Sequence, residues 1–106
     1  MPSPAVLPEV ETDWSLKYQP PYHVVLYNDD DHSYAYVITM LQQLFGHSSE
    51  KGYLMAKEVD EEGRAIVFTG TKEFAELKVE QIHDFGPDPG IDRCQGSMSA
   101  ELEPAE

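Results

Sequence analysis

Four consecutive residues, Asn28-Asp29-Asp30-Asp31, form a dense run of oxygen acceptors directly after the apolar segment Tyr22-His23-Val24-Val25-Leu26-Tyr27. Short carboxylate and amide side chains at a strand-to-helix corner ordinarily accept from nearby backbone N–H groups and close the turn. One or two residues suffice for that; four in succession repel one another and also suit a cation or a donor-rich ligand. An EF-hand calcium loop is excluded by spacing, because the twelfth position from Asp29 is Met40 and the sixth is Tyr34, where that loop needs a bidentate glutamate and a glycine. At most a generic ion site is left, and neither a metal nor another cofactor is expected. Catalytic groupings are equally sparse. No two of His23, His32, His47 and His83 have i, i+4 spacing, no serine sits in a nucleophile-elbow sequence, and Cys94 lies in a loop without a sequence-adjacent base. The chain reads as non-enzymatic.

The elements that must hold the acidic corner follow from periodicity. Residues 22 to 28 are β-branched and aromatic, as a strand requires. From Ser33 onward, Tyr36, Val37, Met40, Leu41, Leu44 and Phe45 fall on one helical face that ends at Gly46. Ser48 or Ser49 caps a second helix carrying Tyr53, Leu54, Met55 and Val59, closed by Asp60-Glu61-Glu62 and Gly63. Arg64 to Thr69 read as a strand. Thr71 caps a third helix that turns Phe74, Ala75, Val79, Ile82 and Phe85 inward. After Gly86-Pro87-Asp88-Pro89-Gly90 a last strand is expected at about Ser97 to Glu103. The order β-α-α-β-α-β predicts an α+β fold: a three-stranded antiparallel sheet covered by three helices.

Length allows one domain. Pro2, Pro4, Pro8, Pro20 and Pro21 interrupt residues 1–21, which also hold the only tryptophan, Trp14, and are expected to form a flexible extension. The folding unit is then 22–103, with 104–106 a short tail. A domain of roughly 80 residues buries only about 60% of its unfolded surface and has little room for a deep cleft, which favours a binding module. The net charge is −13, and within 22–103 there are sixteen acidic against six basic residues. Without a basic face, nucleic acid is not an expected partner. A single cysteine allows no internal disulfide, and no apolar run reaches the roughly 18 residues of a membrane span. A cytoplasmic protein that does not partner with membranes is expected.

Three segments, VVLYNDDDHSYAYVITMLQQLF, LMAKEVDEEGRAI and TKEFAELKVEQI, in this order and spacing resemble the ClpS family of Clp protease adaptors. The resemblance covers about Tyr22 to Ile82, and Met98 to Glu103 more loosely. It rests on Asn28-Asp29-Asp30 after a strand, Gly63-Arg64-Ala65 before one, and Ala75-Glu76-x-Lys78-Val79 on the third helix. It implies a non-enzymatic adaptor that captures substrate proteins by a bulky apolar N-terminal residue, an N-degron. The adaptor then hands them to an AAA+ unfoldase of the ClpA or ClpC type for degradation by ClpP. Asn28, Asp29 and Asp30 match the polar corner that accepts from the substrate's α-ammonium, which needs acceptors only. Val59 and Met98 match pocket-lining positions, with core packing as their alternative role. Glu73 and Lys78 match positions that touch the unfoldase N-domain, with a solvated helix face as theirs.

The chain departs from the family pattern at the same site. Asp60 stands where the family usually has a histidine that helps bind the α-amino group. Tyr34 stands at the pocket-gate position, normally methionine, and His32-Ser33 replaces a Thr-Pro pair. Ala56 stands where the family has a pocket-wall methionine, so volume lost at one wall compensates for volume gained at the gate. Residues 88–94 are longer and differently composed than the usual connection. A ClpS-like module whose pocket is altered or closed, and which binds another protein ligand, is the alternative. The β-α-α-β-α-β order also resembles the C-terminal domain of the ribosomal stalk protein, so the fold alone does not decide function.

Overall fold

The computed structural model describes residues 20–29, 31–91 and 96–105; residues 1–19 of the expected extension, Asp30 and Cys94 lie outside them. The run Tyr22–Tyr27 forms β1, in which Val24, Val25 and Leu26 are fully buried. Three adjacent buried residues need cover on both faces, and β1 is the central strand. It pairs antiparallel with β2 (Arg64–Gly70) on one side and β3 (Ala100–Pro104) on the other. The β1–β2 register shifts between Val24, opposite Phe68, and Val25, opposite Ile66, so the ladder skips Val67. At this bulge the Val67 carbonyl accepts instead from His47 Nε2 at 2.9 Å.

Three helices cover the sheet, as the periodicity predicts: α1 (Tyr34–Phe45), α2 (Ser49–Glu62) and α3 (Lys72–Asp84). Their starts are set by hydroxyl caps: Ser33 accepts from the Tyr36 N–H, Ser48 from Lys51 and Thr71 from Phe74. Gly46 at φ 71° and Gly63 at φ 88° end α1 and α2 in the left-handed conformation that glycine adopts without a Cβ penalty. α1 buries Tyr36, Val37, Met40 and Leu41, and α2 buries Gly52, Ala56 and Val59. A Cβ on Gly52 would stand 3.4 Å from Ile38 Cγ2, so this glycine lets the two helices approach closely. Ala75 and Ile82 of α3 complete the core with Val24, Leu26, Ala65, Val67, Met98 and Ala100. Each large side chain fully buried there contributes roughly 1.5–3 kcal/mol.

Two expectations need correction. Phe74 does not face inward; it is 53% exposed. The buried positions of α3 are Ala75 and Ile82, and Phe74 falls beside that narrow stripe, its ring 6.0 Å from Phe68. The last strand is shorter at its start and longer at its end than expected. Its pairing begins at Ala100 opposite Leu26 and runs to Pro104 opposite Tyr22. Ser99 ahead of it still accepts from the Tyr27 N–H, and further back the Gly96 carbonyl accepts from His32 Nε2 at 2.9 Å beside the acidic corner.

Candidate functional site

The acidic corner is tied down on both sides of β1. The Asn28 N–H donates to the Gly63 carbonyl at the end of α2, and the Tyr27 N–H donates to the Ser99 carbonyl ahead of β3, both at 3.0 Å. The exposed Asn28 side chain therefore stands where the end of α2 meets the approach to β3. Asp29 has a turn-closing role: its Oδ1 accepts from the Asp31 N–H at 2.8 Å and lies 2.7 Å from His32 Nδ1. The His32 side chain is 3% exposed, with its ring centroid 4.7 Å from that of Tyr36. His32 thus links the corner to Gly96, a role that sequence reading missed; the Asp29/His32 i, i+3 pair was the available signal.

Asp60 lies on the last turn of α2, three residues before the Gly63 to which Asn28 is tied. Its Oδ2 accepts from the Tyr34 hydroxyl at 2.9 Å, bridging the start of α1 and the last turn of α2. The acceptor beside the phenol holds its proton, and together with partial burial pushes the Tyr34 pKa up to about 12. Ala56, Val59 and Met98 are 3%, 3% and 2% exposed and belong to the core cluster, against which Tyr34 packs. Val59 and Met98 thus pack in the core, the alternative role that sequence offered for them.

One structural anchor was not anticipated. Asp88 is 5% exposed; its Oδ2 accepts from the Ser33 N–H at 2.7 Å and its Oδ1 from the Gly90 N–H at 2.8 Å. The Ser33 N–H foremost, with the Gly90 N–H, outweighs the effect of burial and holds the carboxyl below its ordinary value. The recognisable signal was aspartate within Gly86-Pro87-Asp88-Pro89-Gly90, a composition that favours side-chain-closed turns.

A second surface lies on α3. Exposed Glu73 lines a shallow hollow of about 330 Å³ with Thr71, Phe74 and Leu77. Lys78 is half-buried: its Nζ donates to the Leu44 carbonyl at the end of α1 and lies 5.4 Å and 5.7 Å from the Phe45 and Phe74 ring centroids. A cation at a helix C-terminus and over aromatic faces is favourably placed. Glu73 and Lys78 thus flank an apolar surface in which Leu77 is 46% exposed. Sequence reading did not single out Leu77. Among the described residues no helix is long and apolar enough to cross a membrane, and no group of three or more His, Cys, Asp or Glu side chains is arranged to hold a metal.

Residues 17–89 match the family described as ATP-dependent Clp protease adaptor protein ClpS. The chain is 36% identical over 74 residues to the ATP-dependent Clp protease adapter protein ClpS of Desulforapulum autotrophicum, covering 70% of this chain and 71% of that one. It is 32% identical over 80 residues to the same adapter from Thermosynechococcus vestitus, covering 74% and 85%. Among solved structures it is similar to that of Agrobacterium tumefaciens ClpS2 bound to L-phenylalaninamide. The TM-score is 0.70 and the identity 26%, over 81% of this chain and 98% of that one. The chain therefore belongs to the ClpS family of ATP-dependent Clp protease adaptors.

Proposed function

We propose that this adaptor is non-enzymatic and captures substrates by a free N-terminal residue with a bulky apolar side chain. It delivers them to an AAA+ unfoldase of the ClpA or ClpC type. The observation that carries the reading is that the Asn28 N–H bond to Gly63 ties the acidic corner to the last turn of α2, where Tyr34 holds the Asp60 carboxylate. An α-ammonium needs acceptors alone, which Asn28 and Asp60 would supply, and a bulky side chain needs a dry surface. Agrobacterium tumefaciens ClpS2 binds L-phenylalaninamide, a molecule with a free α-amine, an aromatic side chain and an amide in place of the continuing chain. That ligand supports carrying the same chemistry over to this chain. The apolar face of α3 between Glu73 and Lys78 is the proposed unfoldase contact.

The magnitudes suit reversible capture. Burial of a Leu or Phe side chain contributes roughly 1.5–3 kcal/mol. Charge-assisted hydrogen bonds add about 1.5–3 kcal/mol each before association costs are subtracted. Micromolar affinity, around −8 kcal/mol, is expected. The test is fluorescence anisotropy with labelled peptides beginning in Phe, Leu, Trp, Tyr or Arg, each beside its N-acetylated twin. Micromolar binding by bulky apolar residues that is lost on acetylation supports the function; equal affinity for both members of each pair overturns it.

A further inference from the structure

Helical geometry places Tyr53, Ala56 and Asp60 along one stripe of α2, at i, i+3 and i+7. Tyr34 reaches both ends of this stripe: its ring centroid is 5.8 Å from that of Tyr53, and its hydroxyl donates to Asp60 Oδ2 at 2.9 Å. Ala56 lies between them on the stripe and presents only a methyl group, and Tyr34 packs against the core cluster to which Ala56 belongs. Among the described residues, only Tyr34 donates to Asp60, and it uses Oδ2 alone, so Oδ1 keeps its acceptor capacity. An exposed aspartate on the last turn of a helix otherwise samples several rotamers; a hydroxyl from another element selects one.

We propose that Tyr34 is the positioning residue for Asp60: its hydroxyl holds the carboxylate with Oδ1 turned to the ligand's ammonium, while its ring supplies the wall that Ala56 leaves low. The inference rests on the N-terminal-residue reading of the same edge. It makes Tyr34, Ala56 and Asp60 one unit in which a change at one position alters the worth of another. Glu58, Glu61 and Glu62 on α2 add a negative field of the sign an ammonium needs.

A double-mutant cycle tests this, with the full chain and a labelled peptide beginning in Phe with a free α-amine. Tyr34→Phe keeps the ring and removes only the hydroxyl; thermal unfolding of each variant confirms that the fold is kept. The expected result is a loss of affinity of about three- to tenfold, the worth of one hydrogen bond, with the ranking of Phe against Leu unchanged. In an Asp60→Ala background the same substitution is expected to change affinity by less than about twofold, because the group it positions is gone. A hydroxyl with a merely structural role does not show this dependence on Asp60. Wild-type binding with unchanged or tighter binding by Tyr34→Phe overturns the inference and leaves the N-terminal-residue reading standing, as does an equal loss in both backgrounds. Absence of binding by the wild type and every variant overturns both.

Discussion

Asp88 Oδ2 accepts the Ser33 backbone N–H at 2.7 Å across 55 positions of sequence. The bond attaches the loop after α3 to the residue that caps α1, so the start of the helix carrying Tyr34 is held by a group outside the acidic corner. The carboxylate also accepts from Gly90 on its other oxygen, a pair of bonds that only the two equivalent oxygens of a carboxylate provide.

Asp88→Asn is expected to destabilise the fold by about 1–3 kcal/mol at neutral pH, because the amide keeps one acceptor oxygen and turns an NH2 towards a backbone donor. The pH dependence has a definite sign. The folded-state pKa is lowered, so the stabilisation is fully present above the ordinary aspartate value and is lost as pH falls through it towards the lower folded value. Urea midpoints of wild type and Asp88→Asn should therefore differ at pH 7 and approach one another as the pH falls below the ordinary aspartate range. Taking the difference between the two proteins cancels most of the contribution of the other carboxylates. A gap independent of pH would show that the charge of Asp88 is not what holds Ser33.

The Tyr34–Asp60 bond has a spectroscopic consequence in the unliganded protein. The tyrosinate absorbance that appears in wild type but not in Tyr34→Phe should titrate with a midpoint near 12. Asp60→Asn should move it back towards the ordinary tyrosine value of about 10. Rapid pH-jump absorbance reads the titration before alkaline unfolding intervenes. A Tyr34 midpoint unaffected by Asp60→Asn would place the hydroxyl elsewhere in solution.

Both of these bonds explain what was legible in the sequence and what was not. α1, α2 and α3 were read from local information: a hydroxyl cap at Ser33, Ser48 or Thr71, an apolar face, and for α1 and α2 a terminal glycine. The first strand was equally plain from its β-branched and aromatic residues, whereas its central place in the sheet, with Val24, Val25 and Leu26 all buried, comes from pairing with β2 and β3. The Asp88–Ser33 and Tyr34–Asp60 bonds join residues 55 and 26 positions apart, and no local pattern pairs one acceptor with one donor at that distance. Phe74 shows that apolar character does not by itself mark burial on a helix whose buried stripe is as narrow as Ala75 and Ile82. Its surroundings are Phe68, Lys78 and solvent. The acidic residues do follow β1 and precede α1, and they divide in a way that composition does not reveal: Asp29 closes the turn and the Asn28 side chain faces outward.

That division makes Asn28 the residue of the corner to substitute. Its backbone N–H bond to Gly63 survives in Asn28→Ala, so the fold should be kept, with a stability change within about 0.5 kcal/mol. Affinity for a peptide with a free α-amine should fall about tenfold, the worth of one charge-assisted hydrogen bond at an exposed site. Asp29→Ala should behave differently and cost stability, because it removes the acceptor for the Asp31 N–H and the partner of His32. Urea unfolding and anisotropy on the same two variants separate the roles; equal stability losses would erase the distinction.

Gly63 links helix termination to the site. Its φ of 88° is unfavourable for any residue with a Cβ, although the space around that position is open. Gly63→Ala should therefore cost about 1 kcal/mol through backbone conformation alone. Because the Gly63 carbonyl receives the Asn28 N–H, the same change should also weaken peptide binding. Gly46→Ala, at a comparable φ of 71° but at the far end of α1, is the control: a similar stability loss with peptide affinity unchanged. Binding losses of equal size in the two variants would trace the effect to stability in general instead of to the corner.

The face of α3 yields the prediction that concerns delivery. Phe74 and Leu77 are 53% and 46% exposed beside Glu73, so replacing either by serine gives up about half of a side chain's burial and should cost stability only about 1 kcal/mol. Apolar side chains central to an interface commonly account for most of its affinity, whereas rim charges contribute less and mainly affect association rate. Calorimetry with an isolated ClpA- or ClpC-type N-domain should then show loss of binding on Phe74→Ser or Leu77→Ser and a smaller, salt-sensitive weakening on Glu73→Ala. Lys78→Ala should be less clean, since its ammonium also caps α1 through the Leu44 carbonyl, and a fall in thermal stability is expected with it. None of these variants touches the Asn28 edge, so binding of a peptide with a free α-amine should persist while the unfoldase contact is lost. Undiminished N-domain binding by both serine variants would assign that contact to another face of the domain.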